Sequence, residues 1–278
     1  MQVLDPDAAR AVLPRPAATT LVVRDGASGL EVLMVRRSAQ ARFMPGSYVF
    51  PGGAVDEADA SPAHEAACDE DVAALAARIG RVTRTGEQAL ALAVAALREC
   101  FEECGLWLGA PPEPARSATD WALLRARLHG GESLAQLASG AGLPLATRVL
   151  QPWSRWVTPF GVPRRFDTLF FVAPLPPAQQ PEVDAGETTE LAWVSPVAAL
   201  ADRTGGGLPM EYATVRIVES LQPFGTRGCA ALLAHAAAQT ALPPVHPRLV
   251  VDGDRHVCGV LLPGQAGYEQ AYAAARDR

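Results

Sequence analysis

Residues 88–104, closed by Gly105, constrain the fold more than any other part of the chain. Leu90, Val94, Leu97, Phe101 and Cys104 recur three and four apart, the repeat of an amphipathic helix with about 3.6 residues per turn. Gly105 supplies the residue type that ends helices in a left-handed conformation. Opposite the apolar side, Glu99, Glu102 and Glu103 fall within roughly 100° of arc. Three carboxylates at i, i+3 and i+4 repel one another. A hard divalent cation such as Mg²⁺ or Mn²⁺ relieves that repulsion, since it takes oxygen ligands readily. Held there, it would polarise a phosphoryl oxygen and lower the pKa of an attacking water.

A helical Glu-x-x-Glu-Glu is by itself usually a solvated face, so its surroundings decide. Arg98 precedes Glu99 and is placed to hold it by a charge-assisted hydrogen bond. Upstream, Phe50-Pro51-Gly52-Gly53 reads as a rigid turn that lets backbone approach a ligand or metal closely. These readings nominate Glu99, Glu102 and Glu103 for metal, Glu102, Glu103 and Arg98 for catalysis, and Gly52 and Gly53 for substrate contact.

The rest of the chain alternates strand and helix signals. Residues 19–24 and 30–36 are β-branched runs split by Asp25-Gly26, which predicts a hairpin. Short strands are expected at 48–50, 156–158, 166–173 and 191–194, and strand-like runs at 248–262 around Asp252-Gly253. Helices are expected near 69–79, 118–129, 132–140, 197–201, 211–221 and 227–239. Phe166, Phe170, Phe171, Trp153 and Trp156 read as packing residues. The net charge of −6 argues against a dominant nucleic-acid binder. No stretch approaches the roughly 18 apolar residues of a membrane span, and no signal peptide is expected. Cys68, Cys100, Cys104, Cys229 and Cys258 are odd in number and lack a Cys-x-x-Cys spacing, so a reducing, cytoplasmic setting is the expectation. Cys100 and Cys104 read as small apolar residues on a buried helix side.

The segment Arg98-Glu99-Cys100-Phe101-Glu102-Glu103-Cys104-Gly105-Leu106 resembles the second half of the Nudix box, and Gly53 resembles the glycine that opens it. The usual box is continuous; here roughly three dozen residues are inserted. The box glutamate position before Arg98 falls on Leu90, leaving Asp59, Glu87 or nothing in its place. The run Arg42-Phe43-Met44-Pro45-Gly46, followed by Phe50-Pro51-Gly52-Gly53, resembles the signature of coenzyme A diphosphohydrolases. Together with residues 153–159 and 164–168, the split box resembles the branch holding the peroxisomal coenzyme A diphosphatase. The resemblance implies an α/β/α sandwich with a mixed sheet and extra helical insertions. It implies one domain over 1–278, with a helical insert at about 59–88, a helical segment at about 107–152 and an extension at about 205–245. It also implies hydrolysis of CoA or acyl-CoA to 3′,5′-ADP and (acyl-)phosphopantetheine with Mg²⁺ or Mn²⁺. Other diphosphates (NADH, ADP-ribose, a nucleoside sugar) are the alternative, and a non-catalytic binding module is a further one. A small nucleotide is the expected partner, with no nucleic acid or membrane; relatives are often homodimers.

A substrate with several phosphate charges needs cations, and Arg42, Arg164 and Arg165 are the candidates. Glu187 and Glu190 precede the 191–194 strand, where Nudix enzymes often bring in a further carboxylate. Glu187 is the first candidate for the base. The five histidines lack ligand spacing and read as structural or exposed.

Overall fold

A computed structural model describes residues 2–41, 44–79, 85–111, 116–184, 186, 188–205 and 207–272. A helix α1 (Pro6–Ala11) opens them, with the Asp5 carboxylate accepting from the Asp7 and Ala8 amides. The strands are β1 (Arg15–Gly26), β2 (Gly29–Arg37), β3 (Tyr48–Val49), β4 (Gly52–Ala54), β5 (Gln151–Val157), β6 (Phe166–Pro174), β7 (Thr188–Val194), β8 (Pro244–Val245), β9 (Arg248–Val251) and β10 (Val257–Leu261). The further helices are α2 (Pro62–Ala67), α3 (Val72–Ile79), α4 (Gly86–Cys104), α5 (Ala118–His129), α6 (Leu134–Ala141), α7 (Pro196–Gly205), α8 (Tyr212–Leu221) and α9 (Gly228–Ala238).

Among the described residues, β1 to β8 form one mixed sheet, and β9 and β10 pair as a separate hairpin. β1 runs parallel to β6 and antiparallel to β2. β1 and β2 pair only where they meet, from Val23↔Val32 to Gly26↔Gly29. Beyond that they part. β4 takes the far half of β1 (Ala17↔Ala54 to Thr19↔Gly52), and β3 takes the far half of β2 (Val35↔Val49, Arg36↔Tyr48). Residues 48–54 are therefore wedged into the opening, with Gly52 and Gly53 at its centre. A side chain at Gly52 would collide with the Ala18 carbonyl and Thr19, so only glycine allows so close an approach. The expected Pro-Gly-Gly turn is thus a short strand, because the backbone groups of β1 that β2 leaves unpaired need partners.

Strand alternation sends two cores to the two faces. Ala18, Val22, Leu33 and Val35 pack against α4, with Leu75 and Ile79 of α3 and Leu134 and Leu137 of α6 beyond. Leu21, Val23, Val32 and Met34 face Ile217, Val218 and Leu221 of α8 and Leu232 and Ala236 of α9. The result is the expected α/β/α sandwich with additional helices. α4 lies in the middle of its layer, buried on most sides from Ala89 to Leu97. Thr85 caps its start, accepting from the Gln88 amide at 3.1 Å, and Gly105 ends it at φ 68°. All five apolar residues anticipated for its buried side are buried, and Cys100 and Cys104 are fully so.

Several boundaries moved for tertiary reasons. Asp25-Gly26 is paired strand rather than turn; Asp25 is held there by accepting from the Cys229 amide of α9 at 2.8 Å. α1, α2 and β8 carry too few residues for a periodic signal. α2 is docked through its end, where the Leu145 amide donates to the Ala67 carbonyl at 2.9 Å. Phe170, Phe171 and Trp153 are core residues, while Phe166 and Trp156 are half-buried.

Phe101, 1% exposed and edge-to-face with Trp107 at 5.1 Å, joins α4 to the segment after Gly105. Phe101→Ala is expected to cost about 3–5 kcal/mol, read as a shifted midpoint at unchanged slope in chemical denaturation. A loss below about 1 kcal/mol would show that this core does not close around α4.

Candidate active site

The carboxylates of α4 meet the 52–59 segment through one guanidinium. Arg98 is 12% exposed at its side chain. Its Nε and Nη2 donate to the two oxygens of Asp59, each at 3.0 Å, and Nη2 also donates to the Ala54 carbonyl at 3.1 Å. Its Nη1 donates to Glu99 Oε1 at 2.8 Å and Glu102 Oε2 at 2.9 Å. Asp59 is almost wholly buried and accepts from the Asp56 amide at 2.8 Å. Of the alternatives for the missing box carboxylate, Asp59 is therefore the one that reaches Arg98. Glu87 is exposed in the first turn of α4, eleven residues and about 16 Å of helix away.

The glycine pair completes the cluster. A Cβ on Gly53 would collide with the Glu99 carboxylate, so the strand runs directly over that group. The Gly52 amide donates to Glu103 Oε2 at 3.1 Å. Glu103 is 5% exposed and its carbonyl accepts from the Thr188 hydroxyl of β7 at 3.5 Å. Arg98, Glu99, Glu102, Glu103, Gly52 and Gly53 are thus brought together, on the face of the sheet that carries α4.

The electrostatics differ from simple mutual repulsion. Arg98 lies between Glu99 and Glu102 and compensates much of it. Burial nevertheless pushes the Glu99 carboxyl up to about 7, against the pull of Arg98 and with a contribution from the Glu102 charge. Burial raises Glu102 as well, again opposed by Arg98. Burial works against the charge on Arg98, but the Asp59 hydrogen bond and the Glu99, Asp59 and Glu102 charges raise its pKa above the ordinary value. Among the described residues, no three Asp, Glu, His or Cys side chains already form a closed cage for an ion: Glu99 and Glu102 share Arg98, and Glu103 faces Gly52. The donor set is nonetheless hard carboxylate oxygen, partly stripped of water and short of full compensation, which is chemistry that suits a hard divalent cation.

Other anticipated residues lie elsewhere. Arg42 and Glu187 fall outside the described residues. Arg164 is exposed. Arg165 is buried, donating Nε to the Thr158 carbonyl at 3.0 Å and Nη1 to the Val12 carbonyl at 3.3 Å, with its guanidinium over Phe160. That arrangement commits its fork to backbone rather than to phosphate, and its expected role in substrate contact is corrected accordingly. Glu190 shares its side of β7 with Ala192 and Val194, on the face opposite α4. There it pairs with Arg36 at 3.3 Å and with the Tyr48 hydroxyl, whose pKa burial and Glu190 push up to about 12. It cannot serve the α4 cluster.

Arg125 was not anticipated. It donates Nε and Nη2 to the Glu102 carbonyl, at 2.8 and 2.6 Å, and Nη1 to the Glu182 and Val183 carbonyls, at 3.0 and 3.1 Å. An isolated Arg in an unremarkable helix gave no sequence signal of this role. It ties α5 and the segment before β7 to the last turn of α4, beside a cavity of about 310 Å³.

Residues 7–206 match the family model described as the NUDT19 Nudix domain. Human acyl-coenzyme A diphosphatase NUDT19 is 31% identical over 209 residues, covering 61% of this chain and 54% of that protein. The putative nudix hydrolase 7 of Caenorhabditis elegans is 29% identical over 171 residues, covering 59% and 46%. The chain spans about half the length of the curated relatives it matches. A NUDIX hydrolase crystal structure from Alicyclobacillus acidocaldarius superposes with a TM-score of 0.62 at 29% identity, covering 84% of this chain and all of that one. The matched region runs from α1 into the end of α7 and takes in the whole carboxylate cluster, so the chain belongs to the Nudix family, with a Nudix domain of the NUDT19 type.

Proposed function

We propose that this protein is a Mg²⁺- or Mn²⁺-dependent hydrolase of a diphosphate linkage, and that its substrate is CoA or acyl-CoA, cut to 3′,5′-ADP and (acyl-)phosphopantetheine. One observation carries the reading: Glu99, Glu102 and Glu103 stand on the last two turns of one helix, desolvated and drawn against Arg98 and the Gly52-Gly53 backbone. The name of the human relative, acyl-coenzyme A diphosphatase, supports the choice of substrate, as does the Arg42-to-Gly53 signature.

In this reading Glu99, Glu102 and Glu103 hold the cation, which when bound supplies Lewis-acid stabilisation of phosphoryl charge and a more acidic water. Arg98 keeps Glu99 and Glu102 in register by engaging one oxygen of each, while Asp59 fixes Arg98 from behind. Gly53 leaves room for the Glu99 carboxylate, and the Gly52 amide orients Glu103. Glu187, in the segment before β7, is the candidate base. The insert over 59–88 serves the site through Asp59, and the chain acts as one domain in the cytoplasm.

The reading is tested by a substrate panel (CoA, an acyl-CoA, NADH, ADP-ribose and a nucleoside sugar) with Mg²⁺ or Mn²⁺ and after chelation. CoA or acyl-CoA is expected to lead the panel, and chelation to abolish turnover until metal is restored. Glu102→Gln is expected to lower kcat by roughly 100-fold or more with the far-UV circular dichroism spectrum unchanged; near-normal turnover would refute the assignment. Gly53→Ala must displace the Glu99 carboxylate and is expected to lower kcat similarly while the sheet stays intact.

The pKa of Glu99 also sets a pH dependence of stability. The unfolded chain releases this proton near 4.5, whereas the native state holds it to about 7. Over that window the native state binds more protons, so stability falls as pH rises. In metal-free protein the melting temperature is expected to fall between pH 4.5 and 7, and less so in Glu99→Gln. A variant that follows the wild-type profile would exclude Glu99 as its source.

A further inference from the structure

The cavity beside Gly105 lies between α5 and residues 178–184, the segment leading to β7. Its volume, about 310 Å³, is at the lower end for ligand sites. It holds one part of a CoA-sized substrate and not the whole. Both of its walls are fastened to the turn that carries Glu102 and Glu103: Arg125 donates to the Glu102 carbonyl, and the Glu182 amide donates to the Cys104 carbonyl at 2.9 Å. Whatever fills the cavity is thereby held at a fixed distance from the α4 cluster.

The lining narrows the chemistry. On α5, Ala118, Ala122 and Ala126 face the cavity at i, i+4 and i+8, all exposed, so a flat group can lie against the helix. The half-buried Trp121 indole stands beside them, stacked on Trp107 at 6.5 Å, with the Arg116 guanidinium 5.5 Å from its ring. The opposite wall carries Glu182 and Asp184. Asp184 is half-buried and 3.4 Å from His129, and the exposed Glu182 makes no side-chain hydrogen bond among the described residues. Two carboxylates disfavour a phosphate here, the donors of Arg125 are directed to carbonyls, and Arg116 donates to the Ala141 carbonyl. A hydrocarbon tail would set apolar carbon against the Glu182 and Asp184 carboxylates, to which it offers no hydrogen-bond donor. A planar heterocycle bearing an amine meets both demands, with its ring against Trp121 and the alanines and its amine donating to a carboxylate.

We propose that this cavity is the nucleobase subsite, taking an amine-bearing purine of the substrate. The proposal rests on the diphosphate-hydrolase reading, and the test separates the two. Calorimetric titration of the whole chain with AMP and IMP is compared between wild type, Ala122→Trp and Ala126→Met, with thermal melts reporting that each variant is folded. Wild type is expected to bind AMP more tightly than IMP, and the two filled variants to bind AMP at least tenfold more weakly. In kinetics, Ala122→Trp is expected to raise KM about tenfold for an adenine-bearing diphosphate, with kcat within twofold. Equal AMP affinity in wild type and the folded variants overturns the subsite, as does an absence of AMP binding by wild type. Turnover that cavity filling leaves untouched sinks the subsite and spares the hydrolase. AMP binding lost on filling, in a protein that hydrolyses no diphosphate, does the reverse.

Discussion

A single guanidinium organises the catalytic half of the molecule. Arg98 joins α4 to the first residues of the insert through Asp59, to β4 through the Ala54 carbonyl, and to two of the three α4 carboxylates. Asp59 is almost completely buried, so its charge is tolerable only while Arg98 is opposite it. Breaking such a pair from one side costs about 3–5 kcal/mol, a large part of the roughly 5–15 kcal/mol that keeps a domain folded. The planar fork of Arg makes this possible: one face grips Asp59 and the other end serves Glu99 and Glu102, an arrangement a point charge could not reproduce.

The sheet supplies the second half of the constraint. Because β1 and β2 separate beyond their hairpin, residues 48–54 fill the opening and their glycines press against α4. The Glu99 carboxylate then has Gly53 above it and Arg98 beside it, and loses most of its water. That desolvation outweighs the attraction of Arg98, which is why its pKa rises to about 7 rather than falling. The site thus stores an unfavourable charge distribution within a well-packed layer, where the apolar side of α4 offsets it. Such a bias towards cation binding arises from tertiary packing and not from the acidic residues alone.

Much of this was legible beforehand. The α4 period, its glycine end and the i, i+3, i+4 carboxylates are local properties, and the structure keeps them within two residues. The link from Arg98 to Glu99 was also local, being between neighbours. Asp59 was one of three open alternatives, because a partner 39 residues away leaves no periodic trace. Glu190 and Arg165 show the opposite failure. Residue type and position suggested ligand contact, but strand parity turned Glu190 to the other face of the sheet, and the loop before β6 buried Arg165 against carbonyls. Arg125 had no motif at all; its function as a clasp exists only once α5 lies across the end of α4.

The sequence by itself determined the helix, its three carboxylates, its stop and the glycines that must approach it, since each depends on neighbours within a few residues. Tertiary structure alone decided which charge meets which. It selected Asp59 over Glu87, set Glu190 on the far face, shaped the cavity between α5 and residues 178–184, and stripped the water that raises Glu99. Those outcomes depend on contacts between segments distant in sequence and on the dielectric they create together, and neither is written in any local pattern.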